Sequence, residues 1–280
     1  MLHPDSQFAL TRYRWLVKSR CRMMPSCLRG NFVSTIISRG LLASIVAQVQ
    51  KVDGFLTARE IEFLAVLGAC PTSHGCIVEL GTLFGKSATA LALGARAGDG
   101  AAVHSVDLRL RSEVESNFRR SGVTEFVYTY SMPSAKFWEQ FQEPVRLLWH
   151  DGANHRDYVA SDIHSAMKLL SDGAIVAFHD VLNSSGERLH NFVDNVLASP
   201  HFGHAGVVGS IGWAQFVKKG CNESQQRQKQ SLQRRLSWLK PFHTLPATRP
   251  RGLKRVVYET IRQTIPHGAI DAERWYRRVA

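Results

Sequence analysis

Short apolar runs alternate with segments of helical periodicity from Cys76 to Val217, and this alternation is the strongest constraint on the fold of the chain. Strands that are apolar throughout are buried on both faces, as in a parallel sheet with helices on either side. We therefore expect an α/β fold in which a doubly wound, mostly parallel seven-stranded sheet ends in an antiparallel hairpin. The predicted strands cover residues 77–80, 102–106, 126–130, 146–150, 174–178, 205–208 and 213–217.

Helices are predicted between the strands and on both flanks of the sheet region. Thr57 and Glu60 have the spacing of a capping box, which indicates that a helix begins after Thr57. An earlier helix is predicted over 36–46, where apolar residues recur at spacings of three and four. The other predicted helices cover residues 57–67, 86–96, 111–120, 134–142, 157–170, 186–197 and 253–265.

The net charge of +12 is concentrated in two flanks. Residues 1–51 carry eight Lys or Arg and one acid, residues 218–280 carry fifteen Lys or Arg and four acids, and the segment between them is acidic. We predict a basic helical extension over 1–54, the sheet domain over 55–218 and a basic extension over 219–280. Such flanks attract anionic surfaces, but their charge alone does not indicate a specific nucleic-acid partner.

The sequence also bears on the cellular setting. No apolar run reaches the roughly 20 residues that a membrane-spanning helix needs. The five cysteines include no CxxC pair, so neither a disulfide framework nor a zinc knuckle is predicted. These features favour a cytoplasmic protein. An arginine-rich N-terminal run with few acids is also typical of a transit peptide, and that alternative stays open.

A glycine turn follows the first predicted strand, in the sequence IVELGTLFGKSA that starts at Ile77. Ligands of an open parallel sheet bind at the carboxyl ends of its strands, so this turn is the candidate cofactor loop. A P-loop has four residues between its glycines, whereas three separate Gly81 from Gly85, although a lysine and a serine follow as in a P-loop. A dinucleotide loop needs a third glycine, and Glu79 would place negative charge beside the pyrophosphate.

The remaining pattern, E-x-G-x-x-x-G, resembles the first motif of class I S-adenosylmethionine-dependent methyltransferases. The resemblance implies a Rossmann-like methyltransferase fold in which Glu79, Gly81 and Gly85 shape the pocket of the methyl donor. It also implies that Asp107, at the end of the second strand, accepts hydrogen bonds from the ribose hydroxyls of the donor. Ser131, after the third strand, is a further candidate for the rim of this pocket near the adenine.

A second group of polar residues follows the fourth and fifth strands, in the segments LLWHDGANH and AFHD. These segments resemble those of small-molecule O-methyltransferases of the family 24 and macrocin types. Because the carboxyl ends of parallel strands meet at one edge of the sheet, we expect Asp151, His155, His179 and Asp180 to face the pocket of the glycine turn. Asp151 is thereby a candidate for both cofactor binding and catalysis.

Methyl transfer to oxygen is a displacement at carbon, so the protein must align the acceptor hydroxyl and weaken its bond to hydrogen. An imidazole or a divalent cation can perform that task. Catechol-type methyltransferases, a related group, hold magnesium with acids that follow these strands. The resemblance implies that Asp151 and Asp180 bind Mg²⁺ or another divalent cation, with His179 as an alternative ligand. His155 is the candidate catalytic base.

The sequence thus predicts an enzyme, an S-adenosylmethionine-dependent methyltransferase that acts on a hydroxyl of a small molecule or sugar. Two alternatives stay open. One is a P-loop-like nucleotide-binding protein, and the other is a noncatalytic module that binds acidic polymers or membranes through its basic arms. The motifs do not identify the acceptor or the oligomeric state.

Overall fold

A seven-stranded sheet is the centre of the structure, a computed structural model that describes residues 37–183, 187–244, 250–268 and 272–279. The strands are β1 (Cys76–Leu80), β2 (Val103–Asp107), β3 (Val127–Ser131), β4 (Val145–His150), β5 (Leu170–Phe178), β6 (Phe202–Val208) and β7 (Ile211–Phe216). They lie in the order β3-β2-β1-β4-β5-β7-β6. Strands β1 to β5 are parallel, and β7 is antiparallel to both β5 and β6. The predicted fold and its C-terminal hairpin are confirmed.

Helices cover both faces of the sheet, as a doubly wound fold requires. They are α1 (Arg39–Val49), α2 (Ala58–Ala69), α3 (Lys86–Ala97), α4 (Glu113–Arg120), α5 (Ser134–Gln140), α6 (Arg156–Met167), α7 (Arg188–Asn191, continued by the π-helical segment Phe192–Leu197), α8 (Glu223–Ser237), α9 (Gly252–Gln263) and α10 (Ala272–Val279). Helices α1 to α4 and α10 pack on one face, and α5 to α9 pack on the other. None of the helices in these described ranges combines the length and the apolar character needed to cross a membrane.

The capping box predicted at the start of α2 is present. The Thr57 hydroxyl accepts a hydrogen bond from the Glu60 amide, and the Glu60 carboxylate accepts one from the Thr57 amide at 2.9 Å. The predicted helix over 157–170 ends earlier than expected, because Leu170 already pairs with Val145 in the sheet. The predicted extension before residue 37 and the predicted helix start at Gly186 lie outside the described residues.

Helix α8 was not predicted, because its sequence is almost entirely polar. Its start is fixed by a capping box between Asn222 and Gln225. Leu232 and Leu236 pack into the core, and the buried Lys229 ammonium group donates a hydrogen bond to the carbonyl oxygen of Phe202 at 2.6 Å. A helix this polar is held in place by a few buried side chains and by its cap.

Helix α10 also belongs to the core. The ring of Trp275 lies edge-to-face against Trp213 of β7, at 4.8 Å between centroids, and against Phe63 of α2, at 5.7 Å. Its indole N–H donates to the carbonyl oxygen of Cys70 at 3.3 Å. Part of the segment predicted as a basic C-terminal extension therefore completes the core, while the predicted boundaries at residues 54 and 218 stay predictions.

We expect the substitution Trp275→Ala to lower the free energy of unfolding by about 3–5 kcal/mol, because it removes a buried aromatic ring that packs on both α2 and β7. Trp238→Ala is the matched control, since Trp238 is 60% exposed and its loss is expected to cost no more than about 0.5 kcal/mol. Urea unfolding followed by circular dichroism measures both values. Equal values for the two variants would contradict a core role for α10.

Candidate active site

A pocket of about 920 Å³ opens at the carboxyl ends of the parallel strands. Ligands of doubly wound sheets bind at this edge, so the pocket is the candidate active site. The segment 53–56, just before α2, forms part of its wall. The residues contributed by the ends of β1 to β5 and by the start of α7 are Leu80, Gly81, Asp107, Met132, Asp151, His179, Asp180 and Arg188.

The two glycines of the turn after β1 are required by packing inside the protein. Gly81 has a φ of +98°, and a Cβ there would lie 2.7 Å from backbone atoms of Asp151 and Gly152. Gly85 has a φ of +81°, and a Cβ there would lie 2.5 Å from the ring of Phe118. Gly81 lines the pocket, whereas Gly85 contacts α4 behind it. Gly85 thus packs the turn against α4, and its predicted part in shaping the donor pocket stays a prediction.

Asp107 lies on the pocket wall and holds the glycine turn. Its Oδ2 accepts hydrogen bonds from the amides of Thr82 at 2.9 Å and Leu83 at 3.2 Å, and its Oδ1 accepts one from the Arg109 amide at 3.2 Å. A carboxylate has about four lone-pair positions, so Asp107 retains room to accept a bond from a ligand hydroxyl. The predicted location of Asp107 beside the turn agrees with the structure.

The carboxyl group of Glu79 does not reach the pocket. Its side chain is fully buried on the α3 face of β1, and its Oε2 accepts a hydrogen bond from the Ser105 hydroxyl. Burial raises the pKa of Glu79 to about 8, which outweighs the opposite effect of its serine partners, Ser105 and Ser87. The Ser105 hydroxyl also pairs with the Thr82 hydroxyl at 2.7 Å, so Glu79 belongs to the hydrogen bonds that support the turn. Its predicted part in shaping the donor pocket stays a prediction.

Two other predicted residues lie outside the pocket. Ser131 is exposed at the end of β3, and the four residues that follow it, 132–135, form the wall. His155 is the N-cap of α6, where its Nδ1 accepts a hydrogen bond from the Asp157 amide at 3.4 Å and its side chain is 53% exposed. The structure therefore does not bring His155 to the place where a catalytic base would act. His155 is not among the residues that line the pocket.

Asp151, His179 and Asp180 meet at one side of the pocket, as predicted. The Nδ1 atom of His179 lies 3.2 Å from Asp151 Oδ2 and 3.8 Å from Asp180 Oδ1. On the other side of the ring, Nε2 lies 3.7 Å from Oε1 of Glu60. Asp180 has a φ of +59°, a strained conformation for a residue other than glycine. Such conformations cluster at functional sites, which supports a role for this strand end.

Sequence reasoning missed Arg188, which pairs with the same acids. Its guanidinium group donates to Asp151 Oδ1 at 2.8 Å and lies 3.5 Å from Asp180 Oδ2. It also donates to the backbone carbonyls of residues 151, 152 and 153 at 3.0–3.2 Å. One signal was available in the sequence: Arg188 precedes Phe192 by four residues and Val196 by eight, on the apolar side of its helix. A buried arginine needs a buried partner.

Glu60 was also missed as a site residue, because its spacing from Thr57 indicates only a capping box. Besides capping α2, its Oε1 accepts hydrogen bonds from the Ser210 amide and hydroxyl, at 2.9 and 2.6 Å, and faces His179. Burial would raise the pKa of Glu60, but its hydrogen bonds with His179 and Ser210 lower the pKa well below its usual value. Glu60 therefore stays charged and links α2 to the turn between β6 and β7.

The cluster places two cationic groups among three carboxylates. Burial would lower the pKa of His179, but its hydrogen bonds with the Asp151 and Glu60 carboxylates raise that pKa to about 10. Burial would raise the pKa of Asp151, but His179 and Arg188 lower it below its usual value. At neutral pH the site thus contains an imidazolium and a guanidinium among the carboxylates of Glu60, Asp151 and Asp180. A protonated His179 cannot accept a further proton.

The predicted magnesium site does not fit this arrangement. Ligand atoms of Asp151, His179 and Asp180 lie within 4.8 Å of one another, which is close enough for shared coordination. Arg188, however, already supplies a positive charge to both carboxylates, and its side chain is only 4% exposed and bound to three backbone carbonyls. A divalent cation would have to displace this buried guanidinium or lie against it, and like charges repel strongly there. The arrangement therefore disfavours Mg²⁺ at Asp151 and Asp180, and this prediction stays to be tested by metal binding.

Comparison with known proteins identifies the class of the domain. Residues 78–181 match the family model of a methyltransferase domain. The match begins in β1 and ends directly after Asp180, so it includes the glycine turn, Asp107 and the acids of the pocket. The comparison with curated proteins returns no match. Residues 78–181 are thus similar to a methyltransferase domain, as the sequence motifs predict.

Two solved structures share the fold. The cofactor-bound Rv0187 from MTB has a TM-score of 0.50 and 19% sequence identity, and the alignment covers 71% of this chain and 95% of that one. The SAH-bound methyltransferase PaMTH1 from Podospora anserina has a TM-score of 0.50 and 15% identity, with 77% and 98% covered. At these identities the likeness shows the fold. The predicted class I methyltransferase fold is confirmed.

We expect His179 to remain protonated throughout the neutral range, with a titration midpoint near 10 compared with about 6.5 for a free imidazole. Because the folded-state pKa is the higher one, the stability that His179 contributes is fully present below about pH 6.5 and is lost as the pH rises toward 10. Ring proton shifts measured by NMR, assigned with His179→Gln, report the midpoint. A midpoint at or below 7 would contradict the charge assignment.

Arg188→Ala is expected to increase affinity for Mn²⁺ by at least about tenfold, because the substitution leaves Asp151 and Asp180 without their buried cation. Electron paramagnetic resonance of free Mn²⁺ measures binding, and circular dichroism checks that the variant is folded. Arg156→Ala is the control, since Arg156 pairs with Asp194 at the surface and is 51% exposed. If the unsubstituted chain already binds Mn²⁺ and Asp180→Asn abolishes that binding, our argument against a metal is wrong.

Proposed function

We propose that this protein transfers a methyl group from S-adenosylmethionine to a hydroxyl of a small molecule. The observation that carries the proposal is the composition of the pocket: Asp107 and the glycine turn lie on one side, and Asp151 and Asp180 lie on the other. Donor and acceptor can thus lie side by side in one cavity at the edge of the sheet. The match to a methyltransferase domain spans both sides, and PaMTH1, which shares the fold, is a SAH-bound methyltransferase.

The charges of the pocket suit a cationic nucleoside better than a nucleotide. Asp107 lies beside the glycine turn and has no cationic partner among its hydrogen bonds, so it would repel a polyphosphate there. Lys86, which a P-loop would direct at phosphate, has its ammonium group 3.4 Å from the carbonyl oxygen of Gly54. Neither the site nor the comparisons support the P-loop alternative or a noncatalytic module. When bound, S-adenosylmethionine supplies a methyl group made electrophilic by its positively charged sulfur.

The donor side of the pocket combines apolar walls with one carboxylate. Asp107 would accept hydrogen bonds from the ribose, and its three bonds to loop amides keep it in place for that task. The apolar surface for the adenine comes from side chains at the ends of β1 and β2 and from the turn after β3, namely Leu80, Val106, Leu108 and Met132. Glu79 and Gly85 would support this side from behind.

On the acceptor side, we assign the proton-accepting role to Asp180 in place of His155. Both oxygens of Asp151 are held at 3.3 Å or less by His179 and Arg188, whereas the ion-pair contacts of Asp180 are 3.5 Å or longer. Asp180 is therefore the carboxylate with more capacity to hydrogen-bond an acceptor hydroxyl and take its proton during the displacement. His179 and Arg188 hold the two acids in position, and their positive charges offset part of the negative charge of the acids.

The mouth of the pocket is apolar. Phe55, Leu83, Leu108 and Tyr158 line the cavity and remain exposed, with Phe55 at 86% and Leu108 at 74%. Exposed apolar side chains around a pocket are typical of ligand-binding sites. They favour an acceptor whose ring presents an apolar face, as aromatic alcohols and sugars both do. We further propose that the protein is cytoplasmic and that its basic flanks make weak contact with anionic surfaces.

Titration calorimetry with S-adenosylmethionine, S-adenosylhomocysteine, ATP and NAD tests the donor assignment without knowledge of the acceptor. We expect the two sulfur nucleosides to bind and the two phosphate-containing cofactors not to bind. Incubation with radiolabelled S-adenosylmethionine and a panel of aromatic and sugar alcohols then tests transfer. Binding of ATP with no response to either sulfur nucleoside would overturn the proposal.

The variant Asp107→Asn is expected to weaken binding of S-adenosylhomocysteine by about 10- to 100-fold, as expected for loss of a hydrogen bond to a charged group. Asparagine is preferred to alanine here because it retains an oxygen for the loop amides that Asp107 holds. Asp157→Asn is the matched control, since Asp157 is 88% exposed and lies outside the pocket lining. Unchanged affinity in the Asp107 variant would show that this acid does not bind the ribose.

A further inference from the structure

A second cluster of chemically reactive side chains lies at the opposite edge of the sheet from the pocket. Cys76 is the first residue of β1, His104 is the second residue of β2, and Glu143 lies two residues before β4. Amino ends of neighbouring parallel strands meet at one edge, so these side chains converge although they are far apart in sequence. The cluster is separate from the methyltransferase site.

The geometry of this cluster is that of a ligand set. One ligand atom from each of Cys76, His104 and Glu143 lies within 4.8 Å of those of the other two. Cys76 is 6% exposed and His104 is 1% exposed, whereas Glu143 is only half-buried. The cluster is therefore enclosed on the side of the sheet and reachable from solvent on the side of Glu143.

One buried atom points to a missing partner. The Nε2 atom of His104 is buried and forms no hydrogen bond within the part of the chain that the structure describes. Its other ring nitrogen, Nδ1, lies 2.9 Å from the Tyr130 hydroxyl, and the ring stacks on Tyr128 and lies edge-to-face with Phe141. Buried polar atoms are rarely left without a partner, and a ring fixed on three sides in this way is positioned to bind a metal through Nε2.

We propose that Cys76, His104 and Glu143 bind a zinc ion. A thiolate, an imidazole and a carboxylate are the three kinds of ligand that zinc takes in proteins, and three protein ligands leave a fourth position for water. The combination of sulfur and nitrogen ligands disfavours magnesium and calcium, which prefer oxygen. The Tyr130 hydroxyl would accept a hydrogen bond from Nδ1–H and so leave Nε2 free to bind the ion.

The comparison with the pocket strengthens this assignment. There, Arg188 supplies the positive charge that a metal would bring. Glu143, by contrast, is half-buried and forms no ion pair within the described ranges of the chain. A cation bound at the amino edge would compensate this carboxylate and satisfy the imidazole at the same time.

The experiment uses the full chain, reduced and stripped of metal with a chelator. Zinc chloride is titrated in competition with a chromophoric chelator, and cobalt chloride is titrated while the absorption spectrum is recorded. We expect one equivalent of Zn²⁺ to bind, a thiolate-to-cobalt charge-transfer band to appear, and the melting temperature to rise with zinc. Absence of zinc binding by the folded chain would overturn the proposal.

Variants assign the ligands. Cys76→Ser should abolish the charge-transfer band, and Glu143→Gln and His104→Gln should each weaken zinc binding by at least tenfold. Tyr130→Phe retains the ring but removes the hydrogen bond to His104, and we expect it to weaken binding by about tenfold in a folded protein. Glu143→Gln and Tyr130→Phe keep the test decisive if either of the more deeply buried residues proves essential for folding.

Two controls separate this site from other zinc ligands. Cys221→Ser changes a cysteine that contacts Gln226 and Lys229, and the double variant Cys21→Ser/Cys27→Ser changes the cysteines outside the described residues. Both should bind zinc like the unsubstituted chain. Loss of zinc binding in the double variant, with full binding retained in Glu143→Gln, would overturn the proposal. Asp180→Asn should also leave binding unchanged, because the pocket cluster is occupied by Arg188.

Discussion

The structure around the pocket depends on the pairing of buried charges. Arg188 and the protonated His179 lie among the carboxylates of Glu60, Asp151 and Asp180. These residues come from α2, from the ends of β4 and β5, and from α7. Their mutual attraction therefore fixes the positions of four elements relative to one another. Buried charges are tolerated only when they are paired, and removal of one partner typically costs about 3–5 kcal/mol. The network therefore holds the acceptor side of the pocket in one conformation.

Much of the fold could be predicted because it is encoded in local patterns. Short runs rich in apolar residues marked all seven strands, and the spacing of Thr57 and Glu60 marked a helix start. Helix α8 was not predicted because its few buried residues stand in an otherwise polar sequence. The packing of α10 against the sheet depends on contacts between distant parts of the chain, which no local pattern contains. Periodicity reports which face of an element is buried, but it does not report which distant element covers that face.

The site was predicted in part, for a similar reason. Asp107, Asp151 and Asp180 reach the pocket because each lies at the carboxyl end of a parallel strand or within two residues of it, and the topology brings strand ends together. His155 lies further along its loop, where the topology imposes no such constraint, and it faces solvent. Arg188 and the second role of Glu60 depend on side-chain pairing between separate elements. A motif identifies the acids, but the cation that accompanies them is visible only in three dimensions.

The packing of Trp275 has a consequence for the order in which the chain becomes native. Its indole bonds to the carbonyl of Cys70, 205 positions earlier, and its ring covers Phe63. Contacts between such distant positions have a high entropic cost of closure and form late. A nascent chain that formed the sheet before the segment around residue 275 left the ribosome would lack the ring that covers Phe63 and Trp213. Chaperones that recognise apolar surface could bind these rings before the segment around residue 275 packs on them.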